Sequence, residues 1–180
     1  MARYGITITE QQFLATFGQR NDAILGAWLG TRATPDFIAR VGDEKEQRFR
    51  ELVTQDGVTL LPGAEHWVRR LATDGWVQAI ASSAPLLNVE VTHRAMGLGD
   101  AFQALVSAED VRAGKPNPAV FLIAARRVHV PPERCVVVED AAAGIDAARR
   151  AGMRSIAVGG GAGSGADVGV ASLADLGRFH

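Results

Sequence analysis

Cys135-Val136-Val137-Val138-Glu139-Asp140 is the stretch that decides the fold of this 180-residue chain. Four apolar residues, three of them β-branched, predict a strand buried on both faces. The run ends on two adjacent carboxylates. Directly after it, Ala141-Ala142-Ala143-Gly144-Ile145-Asp146-Ala147-Ala148-Arg149-Arg150 is a strong helix former apart from its glycine. A strand that stops on acids and turns into a helix puts those acids at the carboxyl edge of a sheet, where open α/β folds bind ligands. Two carboxylates held together repel unless a cation sits between them, and hard oxygen ligands suit Mg²⁺. A plainer reading stands beside this one: Asp140 caps the helix and Glu139 is solvated.

Working outward, Ala113-Gly114-Lys115-Pro116-Asn117-Pro118 is a lysine on a turn, stiffened by two prolines, ahead of an apolar helix from Ala119 to Val128. A lone loop lysine is ordinarily a solvated surface charge. Gln78-Ala79-Ile80-Ala81-Ser82-Ser83-Ala84-Pro85 is a second short strand, and it ends in hydroxyls. Helix capping alone would account for those hydroxyls. Two strands ending in chemistry, with a constrained lysine between them in sequence, form a constellation.

With these three segments the chain resembles the haloacid dehalogenase-like hydrolases, and within them the subgroup similar to β-phosphoglucomutase and its phosphatase relatives. The resemblance covers nearly the whole chain. It implies that Ser82 is the hydroxyl that hydrogen-bonds the transferring phosphoryl group, with Ser83 beside it for substrate. It implies that Lys115 is the cation that offsets charge on nucleophile and phosphate, and that Glu139 and Asp140 help hold Mg²⁺. Gly18-Gln19-Arg20-Asn21-Asp22 resembles the cap loop that touches substrate, which makes Arg20 and Asn21 substrate candidates. Lys45 resembles a cap lysine that reaches the same place. Charged helix surface is the alternative for both segments. Ala119 stands where many relatives carry an acid, and Ala141 where many carry serine.

The resemblance also implies an Asp-x-Asp at the end of a first strand, its first aspartate the nucleophile and its second the general acid/base. No Asp-x-Asp occurs in the 180 residues. The expectation is therefore an α/β protein with a Rossmann-like core, a parallel sheet whose first, central strand is missing, and an N-terminal helical cap that is incomplete at its start. A fragment or a misplaced start is favoured over a truncated relative. The implied function is a phosphohydrolase that acts on a small phosphorylated metabolite such as a sugar phosphate by Mg²⁺-assisted phosphoryl transfer, although these residues supply no nucleophile. The alternatives are a β-phosphoglucomutase-type phosphotransferase, or a non-catalytic relative that binds a phosphometabolite or a protein partner.

Composition agrees with an α/β domain. A hydrophobic fraction of 47% is ample for a core, and a formal charge of −1 gives no electrostatic reason to expect nucleic acid or an anionic membrane as partner. No apolar run approaches the ~20 residues that span a bilayer, and no signal-peptide pattern opens the chain. A cytoplasmic location is the default expectation. Nothing in the sequence fixes an oligomeric state. The single cysteine, Cys135, reads as a small core residue inside the strand rather than a nucleophile.

The pattern is helical from Thr9 to about Val58. Phe13, Leu14 and Phe17 share one face, and Ile24, Leu25, Trp28 and Leu29 share another. Thr9 with Gln12 predicts a capping box, and Thr34-Pro35 opens a helix whose Phe37, Ile38 and Val41 can face inward. Leu60-Leu61-Pro62-Gly63 is a turn that divides a cap (1–59) from a core (60–180). Beyond it, helix and strand alternate: helix 64–73, strand 77–81, helix 86–96, strand 104–107, the lysine loop, helix 119–128, the acidic strand, its helix, and strand 155–158. This order argues a parallel sheet. Trp67 and Trp76 read as core or boundary packing. His66, His93, His129 and His180 have no zinc-like spacing. The Gly-rich run 159–165 reads as a flexible loop without a phosphate-binding motif.

Overall fold

The structure is a computed structural model of the chain and describes residues 4–159 and 165–178. Its helical section contains α1 (Glu10–Thr16), α2 (Asn21–Leu29) and α3 (Pro35–Asp56). Local chemistry sets their starts. Thr9 caps α1 through a reciprocal capping box with Gln12, and Thr34 accepts from the Phe37 amide at the start of α3, with Pro35 as its first residue. Ile6, Leu25, Leu29 and Val41 form a buried cluster, with Trp28, Phe37 and Ile38 packed against it. The Phe13–Leu14–Phe17 face of α1 stays exposed apart from ring contacts between Phe13 and both Phe17 and Trp28.

The α/β section runs α4 (Ala64–Thr73), β1 (Ala79–Ala81), α5 (Leu86–Ala95), β2 (Ala104–Val106), α6 (Ala119–Arg127), β3 (Val136–Glu139), α7 (Ala142–Arg150), β4 (Arg154–Val158) and β5 (Val168–Val170). All strand pairs are parallel, as alternation with helices requires. They fall into two sheets, β1-β2 and β3-β4-β5. Among the described residues β1 has no partner but β2, and β3 none but β4. One core joins the two sheets. Val106 from β2, Val120, Phe121 and Ala124 from α6, Val137 from β3, and Ala147 and Ala148 from α7 are buried together. The carboxyl ends of β1 and β3 are thereby held on one side of that core.

Three expectations are corrected. The acidic strand is not buried on both faces: Val137 faces the core, while Val136 is 43% and Val138 50% exposed. Side chains alternate along a strand, and no described element covers the second face. Cys135 precedes β3 instead of lying in it and is half-buried; its thiol donates to the Pro131 carbonyl, 3.5 Å away. Partial burial, with help from the nearby Glu133 carboxylate, pushes that thiol up from its ordinary value. Trp76 is exposed, whereas the Trp67 indole N–H donates to the Leu173 carbonyl at 2.8 Å and Gly63 (φ +85°) sits against the Leu173–Ala174 backbone. The chain also makes β5, which the sequence pattern did not suggest. Most of the Gly-rich run and His180 lie outside the described residues. None of the described helices is long and apolar enough to cross a membrane.

Candidate active site

β1 ends at Ala81, and Ser82 follows it immediately. The Ser82 amide donates to the Val106 carbonyl at 2.9 Å, which anchors the turn to β2. Its hydroxyl oxygen accepts from the Ala84 amide at 3.1 Å. The hydroxyl proton meets no acceptor among the described residues and is free to donate to a ligand.

Lys115 reaches from its turn to the carboxyl ends of both β1 and β3. Its ammonium lies 2.6 Å from Glu139 Oε2 and 3.4 Å from the Ala81 carbonyl, and 4.9 Å above the Phe121 ring. Both side chains of the pair are nearly closed to solvent, at 7% and 9% exposed. The cation that two adjacent carboxylates call for is therefore supplied, in part, by the protein. Glu139 Oε1 accepts from the Asp140 and Ala141 amides at 3.3 and 3.2 Å. Gly144 is what makes room for this carboxylate, because a Cβ there would run into it.

Asp140 does not cap α7; Ala141 occupies that position and makes no side-chain cap. Partial burial pushes the Asp140 carboxyl above its ordinary value, the Glu139 carboxylate adds to the effect, and Lys115 opposes it. This carboxylate still lacks a full counter-charge. Among the described residues no three His, Cys, Asp or Glu side chains converge as a metal cage. The donor set is two carboxylates, which suits Mg²⁺, an ion that keeps water and takes one or two carboxylates plus phosphate oxygens.

The helical section closes over this region. Gly18 (φ +79°) lies so close to Ala141 that an added Cβ would stand 2.7 Å from the Ala141 Cβ. Arg20 runs across Gly114, and one of its guanidinium nitrogens donates to the Ala108 and Val111 carbonyls at 2.6 and 3.0 Å. Much of its hydrogen-bonding capacity is thus spent on the core. Arg20 separates two open clefts. One, of about 270 Å³, is lined by Arg20, Asn21, Asp22, Ser83, Pro85 and Glu109 among others. The second, of about 210 Å³, has Arg20, Arg112 and Lys115 in its wall.

Of the residues singled out in the sequence, Arg20, Asn21 and Ser83 thus meet at the first cleft and Lys115 at the second. Ser82, Glu139 and Asp140 sit at the strand ends and line neither. Lys45 lines neither cleft; its ammonium donates to Asn21 Oδ1 at 3.1 Å and to Glu46. Sequence reasoning missed Arg112, Glu46 and Asn88. Arg112 and Glu46 look like ordinary surface charges along the chain, and nothing in the local pattern marks them.

The haloacid dehalogenase-like hydrolase family matches residues 6–152. The chain belongs to this family. It is 33% identical over 131 residues to protein CbbY of Rhodobacter capsulatus, covering 71% of this chain and 58% of that protein. It is 31% identical over 159 residues to hexitol phosphatase B of Escherichia coli K12, covering 88% of this chain and 72% of that one. Among solved structures, β-phosphoglucomutase from Clostridium difficile superposes with a TM-score of 0.87 at 26% identity, over 97% of this chain and 81% of that one. The chain spans between 15% and 72% of the length of such curated relatives. The fold is that of the family: a Rossmann-like α/β core with a helical cap.

Proposed function

We propose that this member of the haloacid dehalogenase-like family recognises a small phosphorylated sugar or polyol in the cytoplasm, at the seam between a cap (1–59) and a core (60–180), as part of a phosphohydrolase. The observation that carries the reading is Lys115. Its buried ammonium ties the end of β1, where Ser82 begins, to Glu139 at the end of β3. A phosphate placed there meets a hydroxyl donor and a fixed cation that cost no reorganisation on binding. The hexitol phosphatase relative favours a polyol phosphate.

Glu139 and Asp140 would hold Mg²⁺, which supplies charge neutralisation at the phosphoryl oxygens when bound. Lys115, held in place by Glu139, sets a positive charge beside the phosphate. Ser82 donates a hydrogen bond to an equatorial oxygen and fixes the phosphate's orientation. Asn21 and Ser83, across the first cleft, offer amide and hydroxyl groups to the substrate's hydroxyls. None of these groups attacks phosphorus. An aspartate nucleophile of the Asp-x-Asp kind occurs nowhere in the 180 residues, so these residues are expected to bind and not to turn over.

The test is calorimetry with sorbitol 6-phosphate and Mg²⁺, alongside p-nitrophenyl phosphate hydrolysis. Binding that inorganic phosphate competes away, without hydrolysis above background, is the expected result. No binding of either ligand would end the proposal. Hydrolysis that vanished in Asp140→Ala would show that another group supplies the nucleophile.

A further inference from the structure

The cap carries a charge that the chemistry above does not use. Glu46, on α3, is only 7% exposed. Its Oε1 accepts from Asn21 Nδ2 at 2.6 Å and from the Lys45 ammonium, and its Oε2 accepts from Asn88 Nδ2. Asn21 opens α2, Lys45 is its neighbour on α3, and Asn88 lies on α5 of the core. One carboxylate thus gathers donors from three helices. Asn88, itself buried, is held at both ends, because Arg50 Nη1 donates to its Oδ1 at 2.9 Å. Glu46 and Arg50 stand one helical turn apart on the same face of α3, so the Asn88 amide fits between them.

A buried carboxylate is costly unless its oxygens are satisfied, and here the satisfaction comes from across the cap–core seam. Burial pushes the Glu46 carboxyl up, but the bonds from Lys45, Asn21 and Asn88 outweigh it and hold the group below its ordinary value. The carboxylate is therefore charged, and it needs Asn88. If α3 moved away from α5, Oε2 would lose its donor and the Asn88 amide would lose both partners. Two further contacts between the two sections come from the loop ahead of α2: Gly18 against Ala141, and Arg20, in the cleft wall, on the Ala108 and Val111 carbonyls. Glu46 lies behind the cleft, yet its bond to Asn21 sets a residue of the cleft wall.

We propose that Glu46 is a positioning residue: with Asn88 it latches the cap shut on the core, and through Asn21 it fixes the wall of the substrate cleft. The first half stands on the polar network alone. The second rests on the reading of the cleft as the sugar-phosphate site.

The experiment uses the full chain in a Cys135→Ser background, with spin labels at Arg48→Cys on α3 and Arg94→Cys on α5. A single narrow distance is expected for the parent. Glu46→Gln and Asn88→Ala should each move the distribution to longer and broader distances, and the double variant should go no further than Asn88→Ala, which removes the Arg50 bond as well as the bond to Glu46. Should Glu46→Gln fail to fold, Asn88→Ala decides, because it leaves the Lys45–Glu46–Asn21 bonds in place. Unchanged distributions in the single variants would overturn the latch.

Ligand binding separates the second half. If a variant closes only a tenth of the time, the apparent Kd for sorbitol 6-phosphate rises about tenfold. Inorganic phosphate, held by Ser82 and Lys115 of the core, should bind unchanged. Equal loss for both ligands would overturn the positioning role in favour of general damage. If the parent binds no sorbitol 6-phosphate, the cleft assignment fails and takes the positioning role with it, while the label distances still decide the latch.

Discussion

The Lys115 ammonium sits 2.6 Å from Glu139 Oε2, and the pair is closed to solvent on nearly every side. Such a pair need not be more stable than an apolar one, but breaking it strands a charge. Lys115→Met is expected to cost about 3–5 kcal/mol, because Glu139 then lies buried without its cation. Lys115→Met combined with Glu139→Leu should recover most of that loss while phosphate binding stays abolished. Urea unfolding of the three variants checks it. A double variant no more stable than the single one would mean that the ion pair is not what Lys115 contributes.

Gly18 and Gly97 separate two reasons for a glycine. Both have positive φ, at +79° and +67°, but a Cβ on Gly97 meets open space while one on Gly18 meets Ala141. Gly97→Ala should cost only the left-handed penalty of about 1–2 kcal/mol. Gly18→Ala should cost more, and it should also lift the cap loop and weaken sorbitol 6-phosphate binding. Equal costs and unaltered binding would show that the Gly18–Ala141 approach does not hold the loop.

Asp110 gives a pH dependence whose direction is fixed. Its carboxylate accepts from the Ser107 amide at 2.8 Å and pairs with Arg127. The Ser107 amide, then Arg127 and the Ser107 hydroxyl, hold its carboxyl below the ordinary value against a smaller opposing effect of burial. A carboxylate with a depressed folded pKa contributes stability above its unfolded pKa, about 3.9, and loses it as pH falls through the folded value. Asp110→Asn should therefore lower the melting temperature at pH 7, and the difference from the parent should shrink as pH drops below about 4. A difference that persists at the lowest pH would assign the loss to geometry instead of charge.

The parts of this fold that were legible in the sequence are those set by local chemistry. Thr9 with Gln12 and Thr34 with Pro35 carry their caps in the sequence, and apolar runs alternating with helix formers gave the order of β1 to β4. β5 escaped because Val168-Gly169-Val170 is three residues long with glycine at its centre, too short for a period. The exposure of Val136 and Val138 escaped for a different reason. An apolar run says that a strand wants cover on both faces, but whether cover is present depends on neighbours distant in sequence. At the site, Ser82, Lys115, Glu139 and Asp140 could be picked out because each ends or follows a strand or sits on a rigid turn. Glu46 could not, because on a charged helix only burial distinguishes a latch from a solvated face.

β1 and β3 each leave one edge without a partner among the described residues, and Lys115 touches the carboxyl end of both. Beside them Val136 and Val138 present apolar surface to water. An open edge with apolar side chains is a template for pairing with another chain, and charge on such an edge is what keeps it single. The 180-residue chain is therefore expected to associate as its concentration rises and to bind a hydrophobic dye at the exposed edge. Val138→Lys should reduce both association and dye binding, because position 138 faces solvent. Val137→Lys, one residue away, should abolish folding, because its side chain enters the core shared by α6 and α7. Light scattering across a concentration series measures the association. A chain that stays monomeric across the series and binds no dye would mean that the two edges are protected, and that the gap between the sheets closes in solution.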